Sequence, residues 1–165
     1  MLIQTADMLL IRPTLAWLGE PYDSVQARLM LLTIGQVESA FKTRVQAGGG
    51  PARGFFQFEK NGGCAEIEQH PKLAHFRECI RHLGFPVLRV STHAALGHGA
   101  DHLAVIMARA VLWLEPRPLP LIGDCETAYR QYLARWRPGK PSAARFRTSY
   151  AKALETVVGH AGGEE

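Results

Sequence analysis

The sequence predicts an all-α protein: a single domain, built as an orthogonal bundle of helices with a glycine-rich loop, and three observations lead there. Apolar residues recur at three- and four-residue intervals along most of the chain, and clusters of proline and glycine punctuate those stretches at helix-like spacing. The one short apolar run held between turns, Gly54 to Phe58, is too brief for an independent strand. At 165 residues and 47% hydrophobic, the chain can bury one substantial core but is short for two domains.

Taken in order, Thr5 and Asp7 open an apolar segment that Pro13 is expected to split into two short helices ending at Gly19. Asp23 and Ser24 can cap the next helix, predicted to run to about Phe41, because Leu29, Leu32, Ile34, Val37 and Phe41 repeat at helical intervals. Gly48, Gly49, Gly50 and Pro51 cannot continue it and must form a loop. Gly54 to Phe58 is then an ordered crossing toward a second turn at Asn61, Gly62 and Gly63. Pro71 can start a helix through His82 that stops at Gly84, and Asp101 is predicted to cap a periodic helix carrying Leu103, Ile106, Met107, Ala110, Val111 and Leu114. Pro116, Pro118 and Pro120 end it. Asp124 begins a helix to about Trp136, closed by Pro138, Gly139 and Pro141, and a last helix spans Ala143 to Val158. The folded domain is therefore expected over residues 1–158, with 159–165 as a frayed tail.

The formal charge of +4 and an isoelectric point near 9.2 favour an anionic partner: nucleic acid, a phospholipid surface or an acidic cell-wall polymer. Basic residues gather toward the C-terminal end, in Arg130, Arg135, Arg137, Lys140, Arg145, Arg147 and Lys152, where a solvated basic face is expected. Cys64, Cys79 and Cys125 are odd in number and unrelated in spacing, which fits free thiols better than a disulfide framework or a metal site. The start of the chain lacks a basic leader with a small-residue cleavage site, and Arg12 and Pro13 interrupt its apolar stretch, so neither a signal peptide nor a membrane span is expected.

The chemistry is concentrated in Ile34-Gly35-Gln36-Val37-Glu38-Ser39-Ala40-Phe41, the glycine loop, and Gly54-Phe55-Phe56-Gln57-Phe58-Glu59. A carboxyl among Ile34, Val37 and Phe41 near a helix C-terminus is penalised for ionising by low polarity and by the negative end of the helix dipole. Both raise its pKa, as a general acid working near neutral pH requires. The alternative is that Glu38 sits on the rim of an amphipathic helix and points at water. The glycine loop and the apolar strip with its single amide suit a backbone that passes close to an extended ligand, although glycines alone also make a surface loop.

These residues resemble a known family. Glu-Ser, a loop and then Gly-x-x-Gln is the pattern of soluble lytic transglycosylases and goose-type lysozymes, and here it reads Glu38-Ser39 followed by Pro51-Ala52-Arg53-Gly54-Phe55-Phe56-Gln57. Proline stands where the family has its first glycine, and two phenylalanines stand for Leu-Met. The chain is more closely similar to small phage-encoded lysozyme-like proteins in Ile11-Arg12-Pro13-Thr14-Leu15, Gly49-Gly50-Pro51-Ala52-Arg53-Gly54 and Gln57-Phe58-Glu59. The resemblance implies a lysozyme-like bundle in which Glu38 protonates the glycosidic oxygen between N-acetylmuramic acid and N-acetylglucosamine. Ser39, Gly54, Phe55 and Gln57 would line the substrate. A cleft-shaping tyrosine near the C-terminal end of such enzymes has Tyr132 as its first counterpart and Tyr129 as its second; the accompanying asparagine is missing, and either ring could instead pack in the core. A hydrolase needs a second carboxylate, whereas a transglycosylase can use the substrate's own hydroxyl. Glu59 is the candidate within the motif, against the plainer reading of a solvated turn residue.

Other signals rank lower. His98 and His102 lie four apart beside Asp101, but no His-Glu-x-x-His pattern exists and Gly97 and Gly99 put His98 before the helix, so no metal and no cofactor is expected. His70, His75, His82, His93 and His160 lack ligand spacing, and Ser39 has no histidine-acid partner in sequence order. Trp17, Trp113 and Trp136 fall on periodic apolar faces and are expected in the core rather than as a sugar-stacking platform, although Trp136 near the basic C-terminal region could serve either purpose. The leading expectation is a phage-encoded, virion-associated muralytic enzyme acting on peptidoglycan glycan strands, in the particle or in the cell-wall space after delivery. Its rival is a structural tail or portal protein that keeps the fold with little activity and contacts other virion proteins. A nucleic-acid-binding role rests on charge alone, so nucleic acid is not expected as the main partner.

Overall fold

The chain opens on a continuous helical rod, not on the two separate helices that Pro13 suggested. A computed structural model, which describes residues 1–159, runs α1 (Ile3–Ala6), a π-helical turn (Asp7–Ile11) and α2 (Arg12–Leu18) end to end. Proline has no N–H for the carbonyl one turn back and its ring crowds that oxygen. The wider turn immediately before Pro13 opens the ladder there and lets the helix proceed. Within this turn Asp7, fully buried, forms a two-pronged ion pair with Arg28, whose Nε lies 2.6 Å from Asp7 Oδ1.

Ser24 caps α3 (Val25–Glu38), its Oγ accepting from the Ala27 N–H at 3.0 Å. The helix stops three residues short of the expected Phe41, because Ala40 and Phe41 adopt left-handed φ angles of 51° and 52°. This reversal sends the Phe41 ring back over its own helix. A Cβ added to Gly35 would lie 2.2 Å from that ring, so only glycine admits the contact.

Beyond the loops come α4 (Ala65–Gln69), α5 (Ala74–His82), α6 (Arg89–Gly97), α7 (Asp101–Trp113), α8 (Cys125–Trp136) and α9 (Ala143–Gly159). Two of these were not foreseen. α4 is a bare turn and a quarter without a side-chain cap, and α6 mixes Val, Ser, Thr and His, which favour helix weakly. Tertiary packing supports both, through buried Ile67 in α4 and Thr92 and Leu96 in α6. Asp124 caps α8 as predicted, accepting from Thr127 N–H at 3.0 Å. Asp101 does not cap α7; it is the first helical residue, and its carboxylate takes both Nε and Nη2 of Arg44 at 2.7 and 2.6 Å. That fork anchors the segment after α3 to the start of α7. α9 reaches Gly159, one residue past its expected end, and the predicted tail beyond it lies outside the described residues.

α7 is the central helix, buried continuously from Leu103 to Leu112, and it meets α2, α3, α4, α5 and α6. α9 lies along α3 and also packs on α8, placing Phe146, Tyr150, Ala153 and Val157 in the core. Among the described residues there is no strand, only two isolated antiparallel bridges, Val45 with Arg53 and Arg53 with Phe58. The architecture is an all-helical bundle. No helix among the described residues is long and apolar enough to cross a membrane. The three cysteines are free, Cys64 buried and the other two half-buried.

Two tryptophans depart from their expected place in the core. Trp17 is 50% exposed, and Trp113 is 38% exposed at the end of α7. Arg109 lies beside Trp113, 5.2 Å from its ring, and binds the Tyr22 carbonyl at 2.7 Å. Burial lowers the Arg109 pKa to about 10.

Candidate active site

Glu38 is the last residue of α3, at the negative end of that helix's dipole. Its side chain is mostly covered, and burial raises its pKa above the ordinary glutamate value of 4.5. Two groups oppose that rise: a hydrogen bond from Tyr132 and the positive charge of Arg145. Tyr132 comes from α8, 94 residues along the chain, and its Oη donates to Glu38 Oε1 at 2.6 Å. The phenol is almost fully buried; burial first, and then the facing carboxylate, push its own pKa up, so it stays a donor.

Aromatic stacking fixes the position of Tyr132. Its ring lies 5.2 Å from Phe146 of α9, 6.3 Å from Tyr129 and 6.4 Å from Trp136, all at shallow interplanar angles. The Trp136 indole N–H donates to the Phe56 carbonyl at 3.0 Å, tying α8 to the strip that follows the glycine loop. A ring-to-backbone framework thus holds the acid's partner with little rotamer freedom.

Ser39 acts on the same strip from the other side. Its Oγ donates to the Phe55 carbonyl at 2.7 Å and accepts from the Phe41 N–H at 3.1 Å, while the residue is 8% exposed. Ser39 is therefore a pin between the end of α3 and the strip, not a group presented to a ligand. Gly54 takes a left-handed φ of 75° and lies buried against Leu96, where a Cβ would sit 3.3 Å away. Phe55 is a core residue, 1% exposed, edge-on to Phe41 and beneath the Arg44 guanidinium at 4.4 Å. Neither lines an open surface; both support the site from behind, because an apolar ring and a backbone turn gain more from packing than from water.

Gln57 is half-buried at the surface of the strip and closes its turn, with Nε2 donating to Gly54 O at 2.8 Å. It opens a groove of about 590 Å³ that continues over Glu59, the Asn61–Gly63 turn, Glu66, Gln69 and His70 to Arg135 and Trp136. This volume suits an extended small ligand. Glu38 is not part of the groove's lining. It connects to the groove wall through Tyr132 and Trp136. Glu59 is exposed on the wall, as the plainer reading of a turn residue also foresaw. Tyr129 is half-buried and serves as a stacking neighbour of Tyr132.

The groove also holds residues that sequence reasoning did not assign: Asn61, Gly62, Gly63, Glu66, Gln69, His70, Arg135 and Arg137. The Asn61-Gly62-Gly63 turn is legible in the sequence, but the motif points to the Gly48–Gly50 loop instead. That first loop is tied away from the groove, with Arg53 Nη1 donating to Gly50 O at 2.6 Å and His93 Nε2 on the Pro51 carbonyl at 2.7 Å. Arg135 and Glu66 form a 2.6 Å ion pair across the groove floor.

Backbone strain marks the same neighbourhood. The described non-glycine residues with left-handed φ are Ala40, Phe41, Gln57 and Arg137. The first two follow Glu38-Ser39, and the others line the groove. Such conformations cost of order 1–3 kcal/mol each and persist only where the surroundings enforce them.

The histidine pair considered for metal binding is separated. His98 is exposed beyond α6, and His102 Nδ1 is 2.7 Å from Thr14 Oγ1, which already gives its hydrogen to Leu10 O and so leaves the histidine as donor. Among the described residues no group of three or more His, Cys, Asp and Glu is arranged to hold a metal ion. No family model, curated protein or solved structure matches this chain.

Proposed function

We propose that this chain is a peptidoglycan glycosidase of the lytic-transglycosylase or lysozyme kind, with a lysozyme-like bundle and with Glu38 as its general acid. The observation that carries the reading is the Tyr132–Glu38 hydrogen bond at 2.6 Å, made to a carboxyl whose pKa burial has raised. A protonated acid is what cleavage of a glycosidic bond needs, since the leaving oxygen must receive a proton as the C–O bond breaks.

The Tyr132 bond makes the two carboxyl oxygens of Glu38 unequal. Oε1 accepts from Tyr132, so the transferable proton belongs on Oε2. When that proton leaves, the carboxylate keeps the Tyr132 bond and faces the Arg145 charge, and both favour the ionised product. The same carboxylate can then accept a proton from the incoming nucleophile: water in a hydrolase, the sugar's own hydroxyl in a lyase. Glu59, exposed on the groove wall, is the carboxylate available to the hydrolytic branch. The groove from Gln57 to Trp136, joined to Glu38 only through Trp136 and Tyr132, would hold part of the glycan strand, and cleavage requires the scissile bond to reach Glu38 Oε2 outside that lining. Delivery to the cell wall by a phage particle is the setting that the motif resemblance implies.

Incubation of purified peptidoglycan with the protein, followed by mass spectrometry of released fragments, tests this reading. Wild type should release muropeptides and E38Q should reduce the rate by roughly 10²–10⁴-fold. Anhydro ends with E59Q still active identify a lyase; reducing ends with E59Q impaired identify a hydrolase. A folded wild-type protein that releases nothing overturns the enzymatic reading and favours the structural virion role.

A further inference from the structure

Two residues of the groove lining hold left-handed backbone, and one hydrogen bond ties their neighbours together. Gln57 and Arg137 have φ angles of 53° and 48°, and the residues just before them, Phe56 and Trp136, are joined by the 3.0 Å bond from the Trp136 indole N–H to the Phe56 carbonyl. Gln57 braces its own turn, its Nε2 donating to Gly54 O at 2.8 Å. Arg137 has no comparable brace: it ends α8, and its Nε reaches the Ala134 carbonyl only at 3.5 Å. A helix end in the left-handed region ordinarily takes glycine, which has no Cβ to crowd the backbone. Arginine works against the turn there, which marks a residue kept for its side chain. The charges along the groove leave that side chain unoccupied. Arg135 and Glu66 neutralise each other at 2.6 Å, whereas the Arg137 guanidinium, exposed on the lining, has no carboxylate partner among the described residues.

We propose that Arg137 is a specificity-determining residue of the groove, which pairs with the carboxylate on an acidic sugar and so selects that sugar over a neutral one. A guanidinium offers a planar fork of N–H donors that matches the two oxygens of a carboxylate, whereas an uncharged sugar gives it only hydroxyls and amides. Of the two sugars in the proposed substrate, N-acetylmuramic acid bears a lactyl carboxyl, and N-acetylglucosamine bears none. The muramic unit is therefore the one that the Arg137 side of the groove holds. Because α8 carries both Arg137 and Tyr132, and Trp136 between them lines the groove and stacks on Tyr132, one helix would set the acidic sugar in register with the acid's partner.

The choice of sugar rests on the glycosidase reading, but the test does not depend on turnover. The disaccharide N-acetylglucosaminyl-N-acetylmuramic acid lacks the bond that the proposed reaction cuts, so wild type can be titrated with it and with its methyl ester. Amide ¹H–¹⁵N shifts report binding, with the Trp136 indole N–H and the Gln57 side-chain amide as local probes. Wild type should prefer the acid over the ester by about three- to tenfold, and added salt should shrink that preference. R137G keeps the left-handed turn without the guanidinium; it should melt at or above wild type and bind acid and ester alike. R137K should restore part of the preference, since it returns the charge without the fork. Equal binding of acid and ester by wild type, a preference that survives in R137G, or no binding of either ligand overturns the proposal. An acid preference lost in R137G, in a protein that releases no muropeptides, would retain the carboxylate site and remove the glycosidase reading. Muropeptide release that depends on Glu38, without any acid preference, would do the reverse.

Discussion

Glu38 is held in a state that disfavours folding at neutral pH. Its pKa is raised in the folded chain, so the native state binds more protons than the unfolded one between the two pKa values. The contribution of this group to stability is therefore complete below the unfolded value and is lost as pH rises through the folded value. E38Q keeps the shape and can still accept from Tyr132, but it removes the buried charge. We expect its melting temperature at pH 7 to exceed that of wild type by on the order of 2 °C, with the difference vanishing below pH 4.5. Calorimetry at the two pH values checks this. A destabilised E38Q at pH 7 would mean that Glu38 forms stronger ionic contacts than the Tyr132 bond and the Arg145 charge.

At the scale of elements, the site depends on the junction between the end of α3 and the Gly54–Phe58 strip. Ser39 Oγ both donates to Phe55 O and accepts from Phe41 N–H, so one hydroxyl satisfies a buried carbonyl and a buried amide on either side of a strained turn. S39A would leave both without that partner. The expected loss is about 1–3 kcal/mol, read as a lower urea midpoint with an unchanged slope. The α1–α2 rod is fastened to α3 in a comparable way by Asp7 and Arg28. D7A would strand the guanidinium beside the core and should cost about 3–5 kcal/mol by the same measurement. Loss of under 1 kcal/mol in either variant would show that the junction is held by packing alone.

For the whole molecule, α9 is a structural wall that also reaches the Tyr132–Glu38 pair. It lies along α3 and places Phe146, Tyr150, Ala153 and Val157 in the core, while Phe146 stacks on Tyr132. Burial of a large apolar side chain contributes about 1.5–3 kcal/mol, so three such groups approach the entire stability of a typical domain, about 5–15 kcal/mol. A chain ending at Ser142 is accordingly expected to lose cooperative unfolding, which far-UV circular dichroism across a thermal ramp would detect. A truncated chain that melts cooperatively would show that α3 finds other cover.

Sequence periodicity alone determined the helical class, the bounds of α3, α7, α8 and α9 to within a few residues, and the cap at Asp124, because these depend on neighbours three or four positions apart. Glu38, Gln57 and Tyr132 are singled out by resemblance to a known family's motifs, to which the glycine loop and apolar strip add support for Glu38. Tertiary structure alone decided that Tyr132 and not Tyr129 bonds the acid, that Ser39 and Phe55 face inward, and that the Asn61–Gly63 turn lines the groove while the Gly48–Gly50 loop is tied away from it. The same holds for α4 and α6, whose weak local preferences are overridden by packing. The reason is one of range. A helix is written in contacts within a turn, whereas the bond from α8 to the end of α3 spans 94 residues and exists only once aromatic stacking has set one helix against another.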